Sequence, residues 1–167
     1  MSLLKAPITY LILALLIAFI GFSIYKTKYS MDVIDGYEIN SASLSKKVLI
    51  ASQGSTFKNE LVSKIIKVLN SDSTYIKVID VTSLSTEDVN EWNAVIVIHT
   101  WEYGEAQFDA YQFAKTSVFD DRINVVTTSG NGEEQMLGID AISSASITDE
   151  IPGIAIEVRS KIRLLPQ

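Results

Sequence analysis

The sequence predicts an α/β domain, with a parallel sheet and helices on both faces, behind one N-terminal transmembrane helix. Short apolar runs rich in β-branched residues alternate with segments whose apolar residues recur at helical spacing. One run, Val95-Ile96-Val97-Ile98, has the composition of a strand buried on both faces. Ala6 to Tyr25 is 20 residues without a charge, about enough to cross a bilayer core as a helix. Five strands in a domain of this size predict the order 2-1-3-4-5, a doubly wound sheet.

The chain divides into residues 1–25 with the anchor, a polar tether over 26–45 and a folded domain over 46–167. A cleaved signal peptide is the alternative reading of the first part. No small-x-small pattern follows the apolar run, which is also long for a signal-peptide core. The run is therefore read as an uncleaved anchor whose partner is the lipid bilayer, through residues 6–25. Tyr10 and Tyr25 lie near its ends, as interface aromatics do. Lys5 on one side and Lys26 and Lys28 on the other leave the positive-inside rule near a tie. A single N-terminal anchor commonly keeps its short end in the cytoplasm, and this places the domain outside. Asp32, Asp35, Gly36, Asn40 and the run SASLS mark the tether.

The domain has about 120 residues, enough for a single core. Val48 to Ala51 is the first strand. The turn Ser52-Gln53-Gly54-Ser55-Thr56 leads into a helix with Phe57, Leu61, Val62, Ile65, Ile66, Val68 and Leu69 on its apolar face. Asn70-Ser71-Asp72-Ser73 ends it. Tyr75 to Val81 alternates as a strand. Ser85 with Asp88 three residues on has the form of a capping box for a short helix to Glu91. Ala94 to His99 is the third strand, followed by the turn from Thr100 to Glu105 and a helix over Gln107 to Ala114. Ile123 to Thr127 is the fourth strand, with the polar loop Thr128-Ser129-Gly130-Asn131-Gly132 after it. Met136 to Ile142 is the fifth. The last helix starts near Thr148, with Asp149 and Glu150 placed to favour its dipole and Pro152 tolerated in its first turn. It runs to Arg163 and Leu164.

Composition excludes several chemistries. There is no Cys, so there is neither a disulfide framework nor a thiolate. The single His, His99, cannot build a multi-His metal centre. It ends an apolar strand and reads as a packed or edge residue rather than a catalyst. No Ser stands in a G-x-S-x-G sequence. The formal charge is −6 and every acidic residue follows Met31. That leaves no basic stripe for nucleic acid and favours a small ligand or a basic protein surface. Ligands of open parallel sheets bind beyond the carboxyl ends of the strands. Trp101 and Tyr103 offer flat surfaces there, or simply cap the sheet.

These residues resemble a family. Thr100-Trp101-x-x-Gly104-Glu105, followed by Gln107 and Asp109, is similar to the T-W-x-x-G-E-x-Q-x-D loop of flavodoxins after their third strand. Thr128-Ser129-Gly130-Asn131 looks like their loop after the fourth strand, and Asp149 to Ile162 like their final helix. The resemblance runs from Lys47 to Leu164. It implies a flavodoxin-like five-stranded sheet that binds FMN noncovalently, with Trp101, and Tyr103 beside it, on the flavin ring. Thr100 and Gly104 of the same loop would be cofactor-binding with them, and Ser129, Gly130 and Asn131 would meet the ring edge. The phosphate loop departs from the family form [ST]-x-T-G-x-T. Here ASQGSTFK keeps hydroxyls at Ser52, Ser55 and Thr56, places Gln53 and Gly54 between them, and adds Lys58. A helix N-terminus with hydroxyls suits an anion, and an ordinary capped turn reads equally well. Asn131 to Met136 is also too short for the family's loop and long helix, so one wall of an FMN site is missing.

Asp140-Ala141-Ile142-Ser143-Ser144-Ala145-Ser146 resembles the D-x-x-[ST]-G-A-[ST] signature at which a transferase attaches FMN by a phosphoester, with Ser146 as acceptor. Ser144 stands where that signature has Gly. The plain alternative is a strand followed by a Ser-rich turn. Three functions follow: a membrane-anchored FMN electron carrier serving membrane redox proteins, a flavin-free interaction module of a membrane assembly, and a Ser-dependent hydrolase or transferase. The last has no base beside a nucleophile. The electron carrier needs no catalytic residue and no metal.

Overall fold

The computed structural model describes residues 5–69, 73–117 and 120–162. The chain separates into two compact units, Met1–Ser30 and Met31–Gln167. In the first, Lys5–Tyr29 form helix α1. Pro7 lies in the opening turn, where no intrahelical N–H is lost. Its stretch Pro7–Tyr25, at 19 residues with mean hydropathy 2.4, is long and apolar enough to cross a membrane. Apolar side chains such as Leu11, Leu15 and Phe19 stand exposed along it.

The second unit is an α/β sheet domain. Its elements are β1 (Tyr37–Ile39), β2 (Lys46–Ser52), α2 (Thr56–Leu69), β3 (Thr74–Asp80), β4 (Ala94–Glu102), β5 (Glu105–Ala106), α3 (Phe108–Thr116), β6 (Ile123–Thr128), β7 (Ala141–Ser144) and α4 (Ile151–Lys161). The main sheet runs β1-β3-β2-β4-β6-β7, with β5 paired to β4 off this path. β2 lies parallel to β3 and β4, β6 to β4, and β7 to β6. Val48, Leu49, Ile50 and Ala51 are fully buried, because alternate residues of this central strand face two cores. Val48, Ile50, Ile96, Ile98 and Val126 pack with α2 and α4. Leu49, Ala51, Val95, Val97 and Val125 pack with Ala110 and Ala114 of α3.

The expected order, 2-1-3-4-5, is corrected by an added strand. β1 pairs antiparallel with β3, with Tyr37 opposite Val78 and Ile39 opposite Ile76. It comes from the stretch read as tether. A free edge of β3 presents unpaired backbone groups, and Tyr37-Glu38-Ile39 satisfies them in three residues, too short a run to show a period. Asn40, with φ 65°, ends the strand and donates from Nδ2 to the Thr74 carbonyl at 2.7 Å.

Other elements shift as well. The expected helix from Ser85 is replaced by two 3₁₀ turns, Val81–Thr86 and Val89–Glu91, capped by the carboxylates of Asp80 and Asp88 rather than by Ser85. The third strand runs on to Glu102 and folds back through Tyr103 and Gly104, whose φ values are 55° and 85°. Two positive φ angles are what a two-residue type I′ hairpin requires. Trp101 then faces Ala106 and Glu102 faces Glu105. The fifth strand is Ala141–Ser144 rather than Met136–Ile142. Met136 is buried in the core and its carbonyl takes the Ile139 amide, a turn instead of a ladder. Asn70, Ser71 and Asp72, read as a helix end, and Arg163 and Leu164, read into the last helix, lie outside the described residues.

Candidate functional site at the carboxyl edge of the sheet

Parallel strands β2, β4, β6 and β7 end on one edge, and every predicted site residue lies at the carboxyl ends of β2 and β4, in the loops that follow the strands or at the start of α2. A cleft of about 460 Å³ opens there between α2 and the turns after β6 and β7. Such a volume lies within the usual range for small-molecule sites. Of the predicted residues, Ser55, Thr56, Lys58, Thr100, Ser129, Gly130 and Ser146 line it. Ser52, Gln53, Gly54, Trp101, Tyr103, Gly104 and Asn131 do not. A larger cavity of about 630 Å³ lies between the Asp32–Tyr37 segment and α2, and Gly54 is the one predicted residue on its wall.

Lys58 dominates the cleft. Its side chain is 2 % exposed. Among the described residues the acceptor facing its Nζ is the Met31 thioether Sδ at 3.1 Å. A thioether is a weak acceptor for an ammonium. Burial lowers the Lys58 pKa to about 8, against a smaller upward pull from Glu102. The group is still charged at neutral pH and lacks a carboxylate within ion-pair distance among the described residues. It sits in the first turn of α2, where backbone N–H groups point outward. The Ser55 hydroxyl caps that turn, accepting from the Lys58 amide at 3.2 Å.

Gln53 and Gly54 have other work. Gln53 ties the loop after β2 to the extended end of β4: Nε2 donates to Glu102 Oε1 at 2.8 Å, and Oε1 accepts from the Thr100 amide at 2.7 Å. Ser52 donates to the Gln53 carbonyl at 2.8 Å. Gly54 exchanges two backbone hydrogen bonds with Asp32, at 2.6 and 3.0 Å. A Cβ at Gly54 would stand 2.8 Å from the Asp32 carbonyl and 3.0 Å from Ile34 Cγ2, so this close approach requires glycine.

On the other face of the sheet the residues are closed in. His99 is fully buried. Its Nδ1 lies 3.2 Å from the Thr100 carbonyl and its Nε2 lies 2.9 Å from Thr127 Oγ1. A carbonyl only accepts, so Nδ1 carries the proton and Nε2 accepts from the threonine. Burial takes the pKa of His99 down to about 4, opposed by the Thr100 carbonyl and reinforced by Lys58. A neutral ring with both nitrogens engaged offers the cleft no base. Thr128 donates to the His99 carbonyl at 3.1 Å, so in its 3.0 Å pair with Thr100 the Thr100 hydroxyl donates. Trp101 is half-buried and packs against the α3-side core. Tyr103, at the hairpin tip, is 58 % exposed.

In the loop after β6, Ser129 donates to Asn131 Oδ1 at 2.8 Å and accepts from the Gly132 amide at 2.9 Å. These bonds hold the turn that presents Gly130. Ser144 donates to Glu150 at 2.7 Å and accepts from the Ser146 amide at 3.1 Å, which fixes Ser146 at φ 60° on the cleft rim. Asp140 lies at the opposite end of β7 and pairs with Lys161 at 2.8 Å, so the structure does not bring Asp140 and Ser146 together. No group of three or more metal-ligating side chains is found among the described residues.

The sequence reading missed Met31 and Asp32 as neighbours of the loop after β2, and the Gln53–Glu102 bond. Each joins positions far apart in the chain, and no local pattern signals them.

No family model matches the chain, and no curated protein matches it. Among solved structures, the crystal structure of oxidised Flavodoxin 2 from Bacillus cereus is similar at 16 % identity and a TM-score of 0.44. That likeness covers 69 % of this chain and 99 % of that one.

Proposed function

We propose that the chain is a membrane-anchored FMN-binding protein that passes electrons to or from membrane redox partners. The observation that carries this reading is Lys58, a buried cation with, among the described residues, only a thioether before it, in a cleft at the carboxyl edge. A charge kept in such a place wants an anion. The phosphate of FMN is a suitable one. Lys58 would neutralise it, with the Ser55 and Thr56 hydroxyls and the N-terminus of α2 around it. Ser129 and Gly130 line the same cleft and would border the ring, while the β4–β5 hairpin offers Trp101 and Tyr103 as flat surfaces.

The flavin, when bound, supplies the redox chemistry. The chain's part is to bind the phosphate, orient the ring and exclude water. The negative formal charge, −6, repels added charge on a reduced ring and steers basic partners. The helix Pro7–Tyr25 would hold the domain at the bilayer.

The test is an absorption spectrum of the detergent-purified protein before and after denaturation, followed by an FMN titration. Flavin that is released on denaturation supports the reading. Flavin retained by the denatured chain moves the attachment to Ser146. A colourless protein that takes up no FMN favours the flavin-free interaction module. The half-buried indole of Trp101 and the engaged amide of Gly54 favour that second reading.

A further inference from the structure

Residues 31–34 lie across the loop after β2 as a short strap. Asp32 and Gly54 exchange their two backbone hydrogen bonds. The Ile34 amide donates to Asp80 Oδ2 at 3.0 Å, and its side chain packs on the α2–α4 core. Met31 reaches into the cleft and holds Lys58 Nζ. The strap thus takes up the Gly54 amide, one residue before the cleft-lining Ser55, and Lys58, the buried cation that an anion entering the cleft would meet. It follows α1 directly in the chain.

We propose that the strap is an intrasteric gate, and that strap docking and anion binding in the Lys58 cleft exclude one another. This rests on reading the cleft as an anion site. A bound phosphate is a far stronger acceptor for Lys58 than a thioether. Binding therefore releases Met31, and with it the Asp32–Gly54 bridge. By linkage, a docked strap lowers anion affinity by the fraction of molecules in which it is open. The membrane-proximal segment then reports occupancy of the cleft.

Gly54 gives the means to test this. The three nearest atoms to a Cβ there all belong to the strap, two on Asp32 and one on Ile34. Gly54→Val in the full chain in detergent should evict the strap. Inorganic phosphate is titrated into wild type and variant, and amide hydrogen exchange is read over residues 31–36. The expected result is about tenfold tighter phosphate binding by the variant, a strap population of about nine in ten being enough for that factor. In wild type, phosphate should speed exchange at Asp32 and leave β4 protected. Ile34→Ser loosens the strap without touching the loop and should move affinity the same way. Equal affinity in all three proteins, with Asp32 exchange unmoved by bound phosphate, overturns the gate and leaves the anion site standing. No phosphate binding by any of the three overturns both.

Discussion

His99 and Lys58 are two buried bases at the same edge of the sheet, and they meet burial in opposite ways. His99 gives up its charge: both ring nitrogens have neutral partners, and its pKa falls to about 4. Lys58 keeps its charge at neutral pH with a pKa of about 8, facing a sulfur atom. A satisfied buried base is part of the framework. A buried cation with a weak partner costs stability without return in the fold, and that cost marks a site. The difference separates the face around α3, where the buried base is satisfied, from the face around α2, where it is not.

The largest effect should come from the satisfied side. His99→Ala leaves a cavity and an orphaned Thr127 hydroxyl, and should cost about 3–4 kcal/mol in urea unfolding at pH 7. The wild type should carry a pH dependence of its own. The folded pKa of His99 is about 4 against an ordinary 6.5, so the unfolded chain binds more protons between those values. Stability from this group is complete above pH 6.5 and is lost as pH falls to 4, by about 3 kcal/mol over the whole window. His99→Gln should flatten that slope. A slope that survives in His99→Gln would assign it to carboxylates and break the comparison.

With Lys58 as the proposed anion site, the α2 side should respond in ligand and not in fold. Lys58→Met should weaken FMN or phosphate binding by about 2–3 kcal/mol, roughly a hundredfold in titration calorimetry. The apo variant should be more stable than wild type, because a thioether replaces a buried ammonium. The sign follows from linkage: Lys58 is depressed from 10.5 to about 8, so its cost is full below pH 8 and is relieved as pH rises towards 10.5. The gain from Lys58→Met should therefore be greatest at neutral pH and vanish in strong alkali. A less stable apo variant would place Lys58 in the framework after all.

The sequence made the framework far more legible than the site. The runs Val48 to Ala51 and Val95 to Ile98 declare buried strands because their residues are apolar on both faces, and Phe57, Leu61 and Ile65 declare a helix by spacing. β1 was hidden, since its three residues owe their conformation to the free edge of β3 and not to their own pattern. Likewise Trp101 reads as a ring platform from its place after a strand. Its side on the sheet follows from β4 running on past His99 to Glu102: at the same alternation as Val95 and Val97, it faces the α3 core with them. Lys58 looked like an addition to a loop. Only the packing of Met31 over it, from 27 positions away, makes it a buried charge.

Trp101 lies on the border of the two faces and sharpens the contrast between them. Trp101→Ala should cost about 2 kcal/mol of stability, as expected for a half-buried aromatic. Phosphate affinity should not change, because the indole does not line the cleft. FMN affinity should fall about tenfold, the worth of one stacked ring. Equal FMN affinity in a parallel titration would make the indole framework alone and leave Tyr103 as the flat surface.

The smallest effect tests the hairpin that divides the faces. Gly104 has φ 85° with open space where a Cβ would point, so any penalty there is backbone conformation and not a clash. Gly104→Ala should cost about 1 kcal/mol in thermal unfolding, the price of a left-handed residue with a Cβ. Gly104→Asn should cost less than half as much, since Asn tolerates that region. The two should differ in stability but agree in phosphate affinity, because the hairpin supports Trp101 and Glu102 while Lys58 stands on α2. Loss of phosphate binding in Gly104→Ala would show that the two faces are coupled through Glu102 and Gln53, whose 2.8 Å side-chain bond links the hairpin to the loop after β2.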